Sequence, residues 1–346
     1  MQFQKQRLGE IFKCYSVNAL QTEGATKLLF AGEGPGCGRL YCGPDYREAH
    51  TCWDGGGGTM TMVAVEDRPG LFFLSKGFYS MVDCGNSAIY LASWHNGTYT
   101  EQHVVDLPYL HRFDVITVEG RRFLLGAALH SGKKDKEDWS TPGRLVVAEL
   151  PFALDGGFAV QLQEIAANIF RNHGFNRGRW HGKQAVFVSG DSGVMAVLPP
   201  QHGNSEWQIE PIFSFPVSDV AGIDLDGDGE TEFALLSPFH GDRFEVLKKR
   251  AQEYRSIFNY SKPLDFYHAV YADTFNGVPS FVIGARKNDM DLFLVQYDHR
   301  AQKCVSHLID TGVGSSNARI VHTSDGDLIM SANRQIDEAA IYRAIR

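Results

Sequence analysis

Three histidines of the sequence stand at the same distance from a turn glycine, so they mark one repeated structural position. Each histidine stands nine positions before its glycine: His111 before Gly120, His173 before Gly182, and His268 before Gly277. Converging imidazoles are natural ligands of Zn²⁺, Mn²⁺, Fe²⁺ or Ni²⁺, and three of them leave coordination positions for water or substrate. We therefore predict that the three histidines hold one divalent transition metal. The alternative is that they bond to backbone carbonyls or act as acid/base groups.

The same glycines belong to a pattern that recurs along the whole chain: an apolar strand, a turn with Gly or Asp, a second apolar strand, then a small or polar residue. Seven segments fit it, starting near residues 16, 59, 111, 173, 219, 268 and 317. The spacing between these starts is typical of four-stranded propeller blades. We predict an all-β protein, a single seven-bladed β-propeller domain over residues 1–346. Two separate β domains are the alternative, although no Pro- or Ser-rich linker divides the chain.

The last repeat is too short to form a complete blade, since it begins at Asn317 in a chain of 346 residues. The N-terminal stretch LGEIFKCY, residues 8–15, precedes the first repeat and can supply the missing outer strand. Pairing the two ends in one sheet leaves no open sheet edge. We expect the N-terminal strand to close the last blade.

The face that carries the three histidines also carries the B-to-C loops, because the strands of a blade alternate in direction. Ligand sites gather where loops on a rigid scaffold converge. We identify His130, His240 and Tyr267 as candidate catalytic residues, with Asp219 and His240 as possible additional metal ligands. The candidate substrate-binding residues of this face are Arg112, Asp191, Arg286, Lys287, Arg319 and Arg334.

The stretch DVAGIDLDGDGETEFALL, residues 219–236, places carboxylates at alternate positions of a glycine turn. Asp224, Asp226 and Asp228 occupy positions one, three and five, and Glu232 occupies position nine. Several oxygen ligands around a sharp turn suit Ca²⁺. An EF-hand would need Glu at position twelve, where this chain has Leu235. We predict a structural Ca²⁺ ion here, with a metal-free acidic turn as the alternative.

Composition narrows the possible partners. The net charge is −8 and no basic block occurs, which argues against nucleic acid and anionic membranes. No apolar run approaches the roughly 18 residues of a membrane helix, and the N-terminus has no apolar signal segment. We expect a soluble, cytoplasmic protein. The six cysteines lack CxxC spacing and are expected to be mostly buried thiols, although a Cys37–Cys42 disulfide is an alternative.

The acidic turn resembles the calcium-binding turn of FG-GAP or VCBS-type β-propeller repeats. The blade pattern and the openings LHRFDVI and NHGFNRG also resemble the propeller part of aldos-2-ulose dehydratases and related propeller sugar lyases. That resemblance implies metal-assisted loss of water from a keto-sugar. We therefore predict a lyase, dehydratase or isomerase that acts on a small keto- or uronic-type sugar. A non-catalytic module that binds a glycan or a protein is the alternative.

Overall fold

The structure is a computed structural model that describes residues 1–22, 24–154, 157–201 and 206–345. Its contacts divide the chain into two compact units. The three-sheet unit consists of Glu10–His173 and Pro199–Gln208. The four-sheet unit consists of Met1–Gly9, Gly174–Leu198 and Ile209–Arg346.

Each sheet of the three-sheet unit contains four antiparallel strands that follow one another in the chain. The strands are β2 Cys14–Thr22, β3 Ala25–Gly32, β4 Gly38–Cys42 and β5 Glu48–Trp53; β6 Met62–Ala64, β7 Leu71–Lys76, β8 Ala88–His95 and β9 Thr98–Asp106; and β10 Leu110–Val118, β11 Arg121–Ala128, β12 Gly143–Leu150 and β13 Gln163–Ile169.

Three sheets of the four-sheet unit have the same consecutive order. Their strands are β14 Gly174–Trp180, β15 Lys183–Gly190, β16 Gly193–Leu198 and β17 Gln208–Phe213; β18 Asp219–Ile223, β19 Glu232–Ser237, β20 Arg243–Arg250 and β21 Glu253–Asn259; and β22 Asp265–Phe275, β23 Val278–Lys287, β24 Leu292–Asp298 and β25 Lys303–Asp310. The remaining elements are β26 Ser315–Val321, β27 Leu328–Asn333, a 3₁₀ turn Arg334–Ile336, β28 Glu338–Ile345 and the N-terminal strand β1 Gln2–Glu10.

The last sheet combines both ends of the chain in the order β1, β28, β27, β26. The predicted closure by the N-terminal strand is thus confirmed, with one correction to its position. The strand ends at Glu10, whereas Cys14 and Tyr15 already belong to β2. Lys5 of β1 forms ion pairs with Asp310 at 3.1 Å and Glu338 at 2.7 Å. The seven four-stranded sheets confirm the predicted all-β, seven-bladed β-propeller fold.

The glycines that define the repeat belong to two-residue hairpin turns. In the turn after β10, Glu119 and Gly120 have φ angles of 51° and 77°, and Val118 pairs with Arg121 on either side of them. Positive φ at both central residues is what a type I′ turn requires, and this turn matches the twist of the flanking strands. The nine-residue step from histidine to glycine is therefore the length of one strand plus half of a tight turn.

Buried apolar side chains fill the space between neighbouring sheets within each unit. In the four-sheet unit, Phe187, Phe213 and Tyr254 surround the ring of Phe233 at centroid distances of 5.0, 5.4 and 5.8 Å. The six cysteines are all free thiols, so the alternative disulfide is not formed. Among the described residues, no helix has the length and apolarity needed to cross a membrane.

Candidate functional site

A β-bulge lies at the beginning of the first strand in four sheets. The strand register passes over His111 in β10 and over His268 in β22, so neither residue has a direct cross-strand partner. The same interruption occurs at Tyr15 in β2 and at Ser316 in β26. Bulges redirect a side chain and are frequent beside active sites. Two of the three predicted histidines therefore occupy a position where the ladder is specifically interrupted.

In the three-sheet unit, the bulge residues Tyr15 and His111 meet each other. The Tyr15 hydroxyl lies 3.2 Å from Nε2 of His111. The ring of His173, directly before β14, lies 4.5 Å from the His111 ring between centroids and is tilted by 36°. All three side chains are buried, with 2–3% exposure. The structure thus places His111 and His173 side by side, as predicted, and adds a tyrosine hydroxyl that the sequence reasoning missed.

In the four-sheet unit, His268 has a defined tautomer. Its Nδ1 lies 2.7 Å from the backbone carbonyl oxygen of Ser316, and the ring is buried. A carbonyl oxygen only accepts hydrogen bonds, so Nδ1 must carry the hydrogen. In the neutral ring the lone pair is then on Nε2. An imidazole oriented in this way by a backbone carbonyl is suited to accept a proton or to bind a metal ion.

His240 extends this arrangement into a stack of three rings within the four-sheet unit. Its ring is nearly parallel to that of His268, at 5.1 Å and 19°, and to that of Phe266, at 4.5 Å and 17°. Both His240 and Phe266 have positive φ angles, 48° and 58°. Such backbone conformations cost about 1–3 kcal/mol each in non-glycine residues and cluster at functional sites. We name His240, Phe266 and His268 the histidine stack.

Cationic side chains border the histidine stack. The guanidinium of Arg286 lies 4.7 Å from the centroid of the Phe266 ring and donates to the Gln335 side-chain oxygen at 3.1 Å. Arg334 donates to the same oxygen at 3.2 Å. Lys287 lies 5.4 Å from the Phe266 ring centroid. Lys287 is paired with Asp265 at 3.1 Å, so Arg286 and Arg334, which share the Gln335 oxygen, are the predicted substrate-binding residues that form one positively charged group.

The other predicted substrate-binding residues lie elsewhere. Arg319 lies over the ring of Tyr271, at 5.6 Å from its centroid. Asp191 belongs to the short turn between β15 and β16. Arg112 is in the three-sheet unit, where it lies 5.7 Å from the centroid of the Tyr15 ring. Asp219 begins β18, and its Oδ1 accepts hydrogen bonds from the Asn176 side chain and the Val220 backbone N–H.

His130 has partners that favour a structural role. Nε2 donates to the Met81 carbonyl oxygen at 2.9 Å, and Nδ1 accepts from the Gly132 backbone N–H at 3.0 Å. Burial lowers the pKa of His130 to about 4, so the ring is neutral at pH 7. The lone pair on Nδ1 already accepts the hydrogen bond from the Gly132 backbone N–H. These two bonds favour a structural role for His130 over the predicted catalytic role.

Tyr267 points away from its neighbour His268. Its side chain is 2% exposed and belongs to an apolar core cluster, where its ring lies 5.9 Å from that of Phe244. Burial raises the pKa of the Tyr267 hydroxyl. Successive side chains of a strand point to opposite faces, so adjacency to a candidate site residue does not place Tyr267 in that site.

The acidic turn between β18 and β19 is neutralised from within the protein. Nζ of Lys248, on β20, lies 2.9 Å from Asp226, 2.7 Å from Asp228 and 2.7 Å from Glu232. Asp224 instead accepts hydrogen bonds from three backbone N–H groups of the turn. The carboxylates proposed as calcium ligands thus already surround an ammonium group. The Ca²⁺ ion stays a prediction from the sequence, with Lys248 as its competitor.

The pKa values of these groups follow from this geometry. Hydrogen bonding from Lys248 lowers the pKa of Asp228. Burial raises the pKa of Glu232, although the bond from Lys248 opposes that effect. Burial also lowers the pKa of Lys248, but its bonds to the three carboxylates outweigh this and raise it overall. The Lys248 ammonium is therefore held in its charged form by its short contacts with the three carboxylates.

Comparison with known proteins supports the fold and goes no further. No family model matches the sequence, and no curated protein matches it, so the FG-GAP/VCBS resemblance is not confirmed. Among solved structures, the chain is similar to a putative 6-phosphogluconolactonase from Bacteroides uniformis, with a TM-score of 0.52 and 11% identity. The similarity covers 91% of this chain and 88% of that one. At this level of identity it shows a shared fold.

Proposed function

We propose that this protein is an enzyme that removes a proton beside the carbonyl of a keto- or uronic-type sugar, as a lyase, dehydratase or isomerase. The observation that carries the proposal is the hydrogen bond between Nδ1 of His268 and the Ser316 carbonyl. It orients a buried imidazole with its basic nitrogen fixed at Nε2. A structural histidine can make the same bond to a carbonyl, but the positive φ angle of the neighbouring Phe266 and the adjacent Arg286 favour an active-site role.

The residues around His268 can be given roles in a balanced elimination. Nε2 of His268 accepts the proton, and the electrons of the broken C–H bond form a carbon–carbon double bond while a hydroxyl group leaves as water. His240, which stacks on His268, is positioned to supply the proton that the leaving hydroxyl needs. In an isomerase, the proton would return to the adjacent carbon instead.

The cations explain why an acidic, oxygen-rich substrate is favoured. Arg286 and Arg334 provide positive charge beside the histidine stack, whereas the charge of Lys287 is balanced by Asp265. Fixed positive charge stabilises both a substrate carboxylate and the negative oxygen that develops when the proton leaves. The name of the similar Bacteroides uniformis protein is that of a sugar-processing enzyme, which supports a sugar as the substrate class.

A transition metal remains compatible with this chemistry. The sequence predicts His111, His173 and His268 as its ligands, and the tautomer of His268 fits a ligand as well as a base. Zn²⁺, Mn²⁺, Fe²⁺ or Ni²⁺ would supply polarisation of the carbonyl oxygen when bound. If His268 holds such an ion, the role of base passes to His240.

Deuterium exchange provides the most direct test because it detects proton removal before any product is known. Untagged protein is incubated in D₂O with a panel of keto- and uronic-type sugars, and deuterium incorporation and unsaturated products are followed by NMR and mass spectrometry. We expect His268→Ala to reduce exchange by about 10²–10⁴-fold, the usual contribution of a general base. The matched control is His103→Ala, an exposed histidine paired with Asp106.

Exchange that is unchanged in His268→Ala would overturn the assigned role. Exchange with none of the sugars, combined with measurable binding of one, would leave the glycan-binding module as the better description.

A further inference from the structure

A further group of possible metal ligands, apart from the histidines and the acidic turn, lies on β4 and β5, the outer strands of one sheet in the three-sheet unit. Cys42 ends β4, Glu48 begins β5, and the two residues are direct cross-strand partners. His50 is two residues further along β5 and therefore points to the same side as Glu48. The thiol, carboxylate and imidazole ligand atoms all lie within 4.8 Å of one another.

We propose that Cys42, Glu48 and His50 bind Zn²⁺, independently of the function proposed above. Sulfur, nitrogen and oxygen ligands at one point are a donor set that zinc accepts in tetrahedral geometry. Three protein ligands at a partly exposed hairpin leave the fourth position for water. Binding would replace the thiol proton, which leaves to solvent, by the metal ion. A thiolate and a carboxylate together balance the two positive charges of zinc.

The existing contacts show that the three side chains are already directed at one another. Nε2 of His50 lies 2.8 Å from an oxygen of Glu48, and the Cys42 thiol lies within 4.8 Å of the ligand atoms of both residues. The His50 ring packs against Trp94, with 5.0 Å between centroids. That contact limits the orientations of the imidazole. A metal ion would need only small side-chain rotations, because strand pairing fixes the backbone positions of all three ligands.

Lys27, on β3, acts against metal binding at this place. Its charge influences both Cys42 and Glu48. A nearby ammonium repels a divalent cation, and the effect weakens with salt. The proposal therefore includes a specific expectation: removing the Lys27 charge should tighten zinc binding, whereas a purely structural hydrogen-bond network would show no metal dependence at all.

Cobalt substitution can test the site on the full-length, untagged chain. Co²⁺ is added to metal-free protein, because a cobalt–thiolate bond gives a charge-transfer absorption that oxygen and nitrogen ligands do not give. We expect this absorption in the wild type and its loss in Cys42→Ser. Cys52→Ser is the matched control, since Cys52 is on the same strand as His50 and outside the ligand group. Zn²⁺ should displace the cobalt and abolish the band.

Affinity measurements complete the test. His50→Ala and Glu48→Gln should each weaken Zn²⁺ binding by at least about tenfold, and Lys27→Met should strengthen it. The fold of each variant is checked by circular dichroism, and the exposed hairpin should tolerate these changes. A cobalt complex without the thiolate band, or equal zinc affinity in the wild type and Cys42→Ser, would overturn the proposal.

Discussion

Nζ of Lys248 lies 2.7 Å from a carboxylate oxygen of Glu232, a side chain with no exposure to solvent. The two residues come from neighbouring strands of one sheet, β20 and β19. Their contact puts an internal cation where a bound ion would otherwise be needed, because a buried carboxylate without a partner is strongly unfavourable.

Replacing Lys248 should therefore destabilise the protein markedly. Lys248→Met keeps much of the apolar stem but leaves Glu232 buried without its cation. We expect a loss of about 3–5 kcal/mol in the free energy of unfolding, the usual cost of breaking a buried ion pair. Urea denaturation measures the difference. Lys249→Met, one residue along the same strand and outside this ion-pair group, is the control and should change stability far less.

The wild type and Lys248→Met together test whether the acidic turn binds calcium. If Lys248 already neutralises the turn and no Ca²⁺ ion is bound, chelation leaves the melting temperature of the wild type unchanged. In Lys248→Met the carboxylates lose their cation, so added Ca²⁺ should raise the melting temperature. A drop on chelation of the wild type, abolished by Asp226→Ala, would instead establish the calcium site predicted from the sequence.

Acid should remove the stabilisation that Asp228 provides. Its pKa is lowered in the folded state, so its contribution is complete above the usual aspartate value of 3.8 and disappears as the pH falls through the lowered value. We expect the stability difference between the wild type and Asp228→Asn to shrink as the pH falls below about 4. Denaturation of both proteins between pH 2.5 and 6, conditions chosen to span this range, checks the sign. A constant difference would contradict it.

Deleting Gln2–Glu10 should expose the backbone of β28. Unpaired strand edges promote association, so we expect aggregation and a lower melting temperature, measured by light scattering and calorimetry. Lys5→Ala is the control because it removes only the ion pairs with Asp310 and Glu338. It should lower stability slightly without causing aggregation. A soluble deletion variant with the melting temperature of the wild type would refute this.

The three predicted metal-binding histidines should share one phenotype if they hold one ion. His111→Ala, His173→Ala and His268→Ala should each lose most of the bound transition metal while the fold survives. Elemental mass spectrometry on untagged protein measures the metal, and His130→Ala should retain it because its nitrogens serve Met81 and Gly132. A metal-free wild type would exclude the ion and leave His268 as a metal-independent base.

Local patterns in the sequence were sufficient for the blades and for the histidine position. Counting back from the turn glycine Gly120 located His111 as a repeated position, and the structure adds that a bulge lies there. Interactions between distant residues could not be obtained in this way. Lys248 is 20 residues from Asp228 along the chain, and nothing in the acidic turn itself indicates it.

The role of His130 could not be predicted from the sequence for a different reason. Whether a histidine can act as a base depends on which of its nitrogens has a backbone partner, and no residue pattern reports that. His268 and His130 look alike in sequence, yet Nδ1 of His268 donates to the Ser316 carbonyl, whereas Nδ1 of His130 accepts from the Gly132 backbone N–H.

The sheet that joins β1 to β28 has a consequence for biosynthesis. β1, Gln2–Glu10, leaves the ribosome long before β28, Glu338–Ile345, because the strands of the six other sheets are made between them. During synthesis of the intervening chain, β1 must remain unpaired or be shielded by other factors. Pairing over such a long sequence separation is also slow, because the entropy of closing the loop opposes it. The last pairing within this sheet is therefore expected to be the capture of β1 by β28, which is made much later.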